Sequence, residues 1–184
     1  MLTYPIDIAG LKRELPVCPL NENLSIGAFV IFGDVEMTVH AATKLLEKLP
    51  EVDCFLAPEA KTIPLVYEMS RQSGIPYFIA RKKAKAYMTG VLKVEVQSIT
   101  TEGSQTLILD TAEAAAMRGK RIAIVDDVIS TGETLRGVEE LVKEIGGTVA
   151  ARVAVLAEGD AYYRDDIIVL AQLPLFNPDG TVKM

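Results

Sequence analysis

Two aspartates side by side at the end of an apolar run, followed closely by serine, threonine and glycine, are the residues of this chain best suited to chemistry. They lie in Arg121-Ile-Ala-Ile-Val-Asp-Asp-Val-Ile-Ser-Thr-Gly-Glu-Thr-Leu135. Ile122 to Val125 suits a strand buried on both faces, and Asp126 and Asp127 end it. After Val128 and Ile129 come Ser130, Thr131, Gly132, Glu133 and Thr134, and then a helical periodicity through Leu135, Val138, Leu141, Val142 and Ile145. A helix start offers unpaired N–H groups and the positive end of a dipole, so it stabilises an anion. Hydroxyls and a glycine just before it let a phosphate come close to the backbone. Paired carboxylates do the opposite job: they accept hydrogen bonds from hydroxyls or hold a divalent cation. An anion cradle beside a hydroxyl-binding acidic pair describes a site for a sugar phosphate. Ser130-x-x-Glu133 is also a capping box, in which both side chains satisfy backbone donors. A capping box does not account for two consecutive aspartates ending a buried strand, where charge is costly without partners. Asp165-Asp166 lacks a hydroxyl-rich loop and reads as a solvated turn.

The elements that position this stretch follow from periodicity and turn residues. Residues 1–27 carry Pro5, Gly10, Pro16, Pro19, Asn21 and Asn23, which predicts an irregular arm with one short helix at most. Ala28 to Phe32 is strand-like, and Gly33-Asp34 opens a helix that presents Val39, Ala42, Leu45, Leu46 and Leu49 and ends at Pro50. His40 on that helix has no Ser, Cys or acidic partner at a diagnostic spacing and reads as structural. Val52 to Ala57 is a buried strand, a helix with Pro64 in its first turn runs to Gly74, and Ile75 to Ala80 is a third strand. Strand, helix and strand in this order predict a parallel crossover. Val91 to Ile99 and Thr106 to Asp110 flank the polar tip Thr100–Ser104 as a hairpin, and residues 111–118 form a short helix. Thr148 to Leu156 and Ile167 to Ala171 are the remaining strands. The alternation predicts an α/β fold with a mainly parallel central sheet flanked by helices, residues 1–184 forming one domain.

Composition narrows the function. The formal net charge is −6, which argues against a nucleic-acid footprint, yet four of the five residues in Arg81-Lys-Lys-Ala-Lys85 are basic. One concentrated basic cluster in an acidic protein, directly after a predicted strand, suggests a local anion site. Cys18 and Cys54 form no metal-ligand spacing and no disulfide framework, which fits a reducing cytoplasm. No apolar run approaches the ~18 residues of a membrane span, and no signal-peptide pattern opens the chain. Neither G-x-x-x-x-G-K-[ST] nor G-x-G-x-x-G occurs, which argues against a general nucleotide-binding module.

Val125-Asp-Asp-Val-Ile-Ser-Thr-Gly-Glu-Thr134 resembles the phosphoribosyl pyrophosphate (PRPP) motif of type I phosphoribosyltransferases. The wider chain is most similar to the adenine branch, with features of the xanthine branch and of the related purine repressor. The resemblance implies the type I phosphoribosyltransferase fold, with a mobile hairpin loop and a small hood or arm from residues 1–34 and 172–184. It implies that Asp126 and Asp127 hold the ribose hydroxyls, Asp127 in part through a metal, while Ile129 and residues 130–134 fix the 5′-phosphate. Glu59, Ala60, Lys61 and Thr62 would contact pyrophosphate, although relatives more often have glycine where Thr62 stands. Ala80-Arg-Lys-Lys-Ala-Lys85 resembles the Arg-Lys-x-x-Lys element, by which Arg81, Lys82 and Lys85 neutralise pyrophosphate, one of them across a dimer interface. The tip with Glu102 and Ser104 corresponds to the mobile loop that closes over PRPP. Glu102 is the candidate carboxylate near the purine, and an acidic tip is equally ordinary turn chemistry.

The reaction so implied moves ribose 5-phosphate from PRPP to a purine, with Mg²⁺ as cofactor, in a cytoplasmic homodimer that salvages purines. Phe32, Val128 and Ile129 are the candidate base contacts. The adenine branch has an aromatic followed by Arg ahead of Asp, and here Phe32-Gly33-Asp34 keeps the ring and lacks the Arg. Adenine is the first choice by overall similarity, followed by hypoxanthine, guanine and xanthine. The rivals are a PRPP-sensing regulator, for which the residues before Ala28 are too few to carry a DNA-binding segment, and a pseudo-enzyme, which Thr62 and Gly33 would suit.

Overall fold

A computed structural model describes residues 2–97 and 104–183. The Thr100–Ser104 tip therefore lies outside the described residues up to Ser104, and Glu102 with it. In chain order the elements are β1 (Thr3–Ile8), β2 (Leu11–Asn21), β3 (Leu24–Gly27), α1 (Val35–Leu46), β4 (Cys54–Pro58), α2 (Ile63–Ser73) and β5 (Tyr77–Ala80). They continue with β6 (Val91–Gln97), β7 (Ser104–Asp110), α3 (Thr111–Met117), β8 (Arg121–Ile129), α4 (Glu133–Ile145), β9 (Thr148–Glu158), β10 (Ile168–Leu173) and β11 (Leu175–Phe176). A 3-10 turn, Gly159–Tyr163, leaves β9.

The central sheet has the order β10-β9-β8-β4-β5, and every neighbouring pair in it is parallel. Its strands are buried on both faces, so alternate residues feed two cores. Phe55, Ala57, Ala123, Val125, Val153 and Val155 pack with α1 and α2. Cys54, Leu56, Ile122, Ile124 and Ala154 pack with α4 and with Leu107 and Leu109 of the β6–β7 hairpin. The chain runs outward from β4 to β5, then returns to β8 and runs outward the other way through β9 and β10. The direction reverses between β4 and β8, and in open α/β sheets ligands bind beyond the strand ends at such a point. Among the described residues no helix is long and apolar enough to cross a membrane.

Three sequence expectations are corrected. Residues 1–27 are not an irregular arm: they form β1, β2 and β3, which with β11 make a four-stranded antiparallel sheet. The prolines that suggested turns sit where a strand tolerates them. The ladder between β2 and β3 shifts register between Pro19 and Asn21, and Pro16 contributes its carbonyl, which accepts from Ala28 N at 2.8 Å. Second, Ala28–Phe32 is not a strand. Phe29 and Ile31 are buried while Val30 and Phe32 are exposed, so the alternation is real, but among the described residues the segment has no partner strand. Third, Ile167–Ala171 is not the last strand, because Leu175–Phe176 pairs with β3 and Phe176 is fully buried.

Arg13 and Asp34 tie the smaller sheet to α1. Asp34 caps α1 by accepting from Met37 N at 3.0 Å, and Arg13 donates to both of its oxygens at 2.7 and 2.9 Å. The Arg13 guanidinium, followed by the Met37 N–H, holds the Asp34 carboxyl below the usual carboxylate range. Asp34→Ala should destabilise the fold by about 1–2 kcal/mol, the loss of a helix cap with a partly exposed ion pair. Because the folded-state value is depressed, this contribution is full above the unfolded carboxylate value of ~4 and disappears as pH falls through the folded one. Urea melts at pH 7 and pH 3 check it: the wild-type advantage over Asp34→Ala should shrink at the lower pH.

Candidate active site

Beyond the carboxyl ends of the central strands lies an open cleft of about 870 Å³. Each strand end contributes a wall: Glu59, Ala60, Lys61 and Thr62 after β4, Lys82 after β5, Asp126 to Val128 at the end of β8, Glu158 on β9 and Leu173 on β10. Residues 26–30, which leave the smaller sheet, close one side. Ser130 and Thr134 line both this cleft and a small niche formed by residues 126 and 128–135.

Asp126 and Asp127 are both buried. Asp126 Oδ1 accepts from Thr62 Oγ1 at 2.9 Å and from Asp127 N at 2.9 Å. Burial and then the neighbouring Asp127 charge raise the Asp126 carboxyl above its usual range, and the Thr62 hydroxyl acts against them. Thr62 is almost wholly buried and supplies a hydrogen bond to a carboxylate that needs one. Asp127 Oδ2 is buried and accepts no hydrogen bond, although the Lys61 ammonium stands 3.3 Å away. Such an atom is left for a partner outside the chain.

The niche is the N-terminus of α4. The helix begins at Glu133 with Gly132, at φ 81°, as its N-cap, a residue with no side chain to cap it. Ser130 and Glu133 therefore do not act as a capping box. A capping box does exist, at Asp110 and Glu113 of α3. The Glu133 N–H reaches the Thr131 hydroxyl only at 3.5 Å, a long contact, so the first donors of α4 are weakly held and face a loop of small and hydroxylated residues, as anion binding requires.

Of the residues singled out in the sequence, the cleft brings together Glu59 to Thr62, Lys82, Asp126 to Val128, Ser130 and Thr134, and the niche adds Ile129, Thr131, Gly132 and Glu133. Lys82 N donates to Glu59 Oε1 at 2.8 Å, joining two of the loops. Arg81 and Lys85 are not among the lining residues; the Arg81 guanidinium lies 5.8 Å over the Tyr87 ring. Phe32 is half exposed and does not line the cleft, where Phe29 and Val30 stand instead. Glu158 was missed. It lines the cleft half-buried, and burial raises its carboxyl while Lys61 acts against the rise. The signal for it was there: a lone carboxylate ending the apolar run of β9, followed by Gly159. His40, as expected, is structural, its Nε2 lying 3.0 Å from Ala9 O and 3.2 Å from Ile8 O.

Residues 36–173 match the family model described as the phosphoribosyl transferase domain. The hypoxanthine/guanine phosphoribosyltransferase of Methanohalophilus mahii is 36% identical over 110 residues, which cover 60% of this chain and 54% of that protein. The adenine phosphoribosyltransferase of Clostridium acetobutylicum is 32% identical over 142 residues, covering 74% of this chain and 78% of that one. The chain thus spans about half the length of the first of the curated relatives it matches. The crystal structure of adenine phosphoribosyltransferase from Thermoanaerobacter pseudethanolicus superposes with a TM-score of 0.72 at 21% identity, covering 86% of this chain and 95% of that one.

Proposed function

Since the chain belongs to the phosphoribosyl transferase domain family, we propose that it transfers ribose 5-phosphate from PRPP to a purine base, releasing pyrophosphate. One observation carries the proposal. A buried acidic pair at the switch point of the sheet stands directly before a helix start whose N-cap is a glycine, with a lysine-bearing loop on its other side. The 5′-phosphate takes the open N–H groups of α4 with the Ser130, Thr131 and Thr134 hydroxyls. Asp126 and Asp127 accept from the ribose hydroxyls, and Lys61 and Lys82 neutralise pyrophosphate. For Arg81 and Lys85 the assignment rests on the resemblance, which places one such residue across a homodimer interface.

The residues present fit a divalent cation. Asp127 Oδ2 is a buried hard oxygen that accepts no hydrogen bond from a described residue and faces the half-exposed Lys61 ammonium, and among the described residues no cluster of three ligating side chains exists. That donor set suits Mg²⁺ arriving with its substrate, because Mg²⁺ is usually held by one or two carboxylates plus phosphate oxygens. When bound, it neutralises charge on the departing pyrophosphate. In the reaction the bond from the anomeric carbon to the pyrophosphate oxygen breaks and a bond to a purine ring nitrogen forms. The ring N–H proton leaves to solvent or pyrophosphate. The four-stranded sheet serves as the hood over the base. Overall likeness favours adenine, whereas the Methanohalophilus relative favours a 6-oxopurine.

Pyrophosphate release from PRPP and Mg²⁺, measured in parallel with adenine, hypoxanthine, guanine, xanthine, uracil and orotate, tests this. Release is expected with a purine and not with uracil or orotate. Measurable PRPP binding with no release from any base would overturn the enzyme and leave a PRPP sensor.

A further inference from the structure

The order of strands lays the parts of the substrate along one edge of the sheet. Lys82 and the 59–62 loop follow β5 and β4, the acidic pair ends β8, and Glu158 and Leu173 end β9 and β10. With pyrophosphate at β4 and β5 and ribose at β8, the base falls at the β9–β10 end, under residues 26–30. This end is apolar, lined by Ile26, Phe29, Val30, Val128 and Leu173. It is also closed against the smaller sheet: a Cβ on Gly27 would stand 2.9 Å from Leu173 Cδ1. Glu158, opposite Leu173 in register, is the one ionisable side chain that this end of the cleft presents among the described residues.

The Glu158 side chain makes no hydrogen bond to any described residue, and the Lys61 charge acts against the rise that burial causes in its carboxyl. A half-buried carboxylate with both oxygens open, in an otherwise apolar pocket, is matched by a ligand edge that brings donors to it. We propose that Glu158 sets the base specificity, its two oxygens accepting from the adjacent N1–H and 2-amino groups of a 2-amino-6-oxopurine. The proposal rests on the phosphoribosyltransferase reading above. A 6-aminopurine offers a donor beside a ring-nitrogen lone pair, and that lone pair would face a carboxylate oxygen. Specificity then comes from repulsion as much as from attraction. The order of bases suggested by likeness to the adenine branch is thereby reversed.

Kinetics of pyrophosphate release with guanine and adenine, for wild type, Glu158→Gln and Glu158→Ala, test this, with PRPP–Mg²⁺ binding measured separately by calorimetry. A glutamine amide offers an acceptor beside a donor, which complements the 6-aminopurine edge. Wild type should favour guanine in kcat/KM, and Glu158→Gln should shift the guanine-to-adenine ratio toward adenine by ~10-fold or more. Both variants should bind PRPP as wild type does, since Glu158 lies outside the phosphate niche. An unchanged ratio with PRPP binding intact, or a wild-type preference for adenine, would overturn the role of Glu158 and leave the phosphoribosyltransferase standing. No release with either base from wild type would overturn both.

Discussion

Asp127→Ala should lower pyrophosphate release by on the order of 10³-fold while leaving the melting temperature unchanged or slightly higher. The two halves of this expectation have one origin. Asp127 is buried, and its Oδ2 accepts no hydrogen bond. Its ion-pair partner Lys61 is half exposed, so their attraction is screened and small. Removing the carboxylate therefore relieves a desolvation cost and breaks little. Asp126 loses the neighbouring charge that helps raise its carboxyl and keeps the Thr62 hydroxyl. In the proposed reaction the same oxygen is needed to meet ribose or the metal that comes with PRPP. A residue that served the fold would show the opposite pattern, losing stability along with activity. Steady-state rates and thermal melts of Asp127→Ala and Asp127→Asn separate the two. If activity survives while the protein is folded, the acidic pair is not the ribose site.

What could be read in the sequence was whatever is contiguous in the chain. Strand β8, its two aspartates, the hydroxylated loop and helix α4 follow one another without interruption, so spacing alone fixes their mutual geometry. The same holds for the 59–62 loop, which a strand delivers and a helix takes up. The smaller sheet was illegible for two reasons. Its central strand β2 contains Pro16 and Pro19, and its edge strand β11 comes from the other end of the chain. Local turn signals outweighed a pairing that only the tertiary structure supplies.

Thr62 and Glu158 show the same limit inside the site. Thr62 looked like a defect in a glycine position, because its partner Asp126 is 64 residues away and only the β4–β8 pairing brings them together. Glu158 carries only a weak local signal, a lone carboxylate ending an apolar run ahead of Gly159. A single carboxylate after an apolar run gains meaning once the strand is known to end beside β8 and under residues 26–30. Phe32 is the converse case: its ring matched a motif, but the segment turns it outward and gives the cleft Phe29 instead.

Gly132→Ala should raise the KM for PRPP by ~10–100-fold with a smaller change in kcat. Gly132 stands at φ 81°, a left-handed conformation that costs a residue with a Cβ about 1–2 kcal/mol. The new methyl would also meet Arg164 Nη1 at 3.0 Å. Arg164 does not move aside freely, because its Nε and Nη2 each donate to Asp166 at 2.8 Å. The left-handed strain, with this contact added to it, shifts the loop, and with it the first N–H groups of α4 and the Ser130 and Thr131 hydroxyls. A phosphate cradle depends on donors aimed at one point, so a small displacement loses most of its binding, largely to ground state and transition state alike. Arg164→Ala in the same chain separates the two causes: it removes the clash and leaves the backbone strain, so the double variant should recover part of the KM. An unchanged KM in Gly132→Ala would mean that the phosphate does not sit at the start of α4, and the proposed placement of PRPP would fall with it.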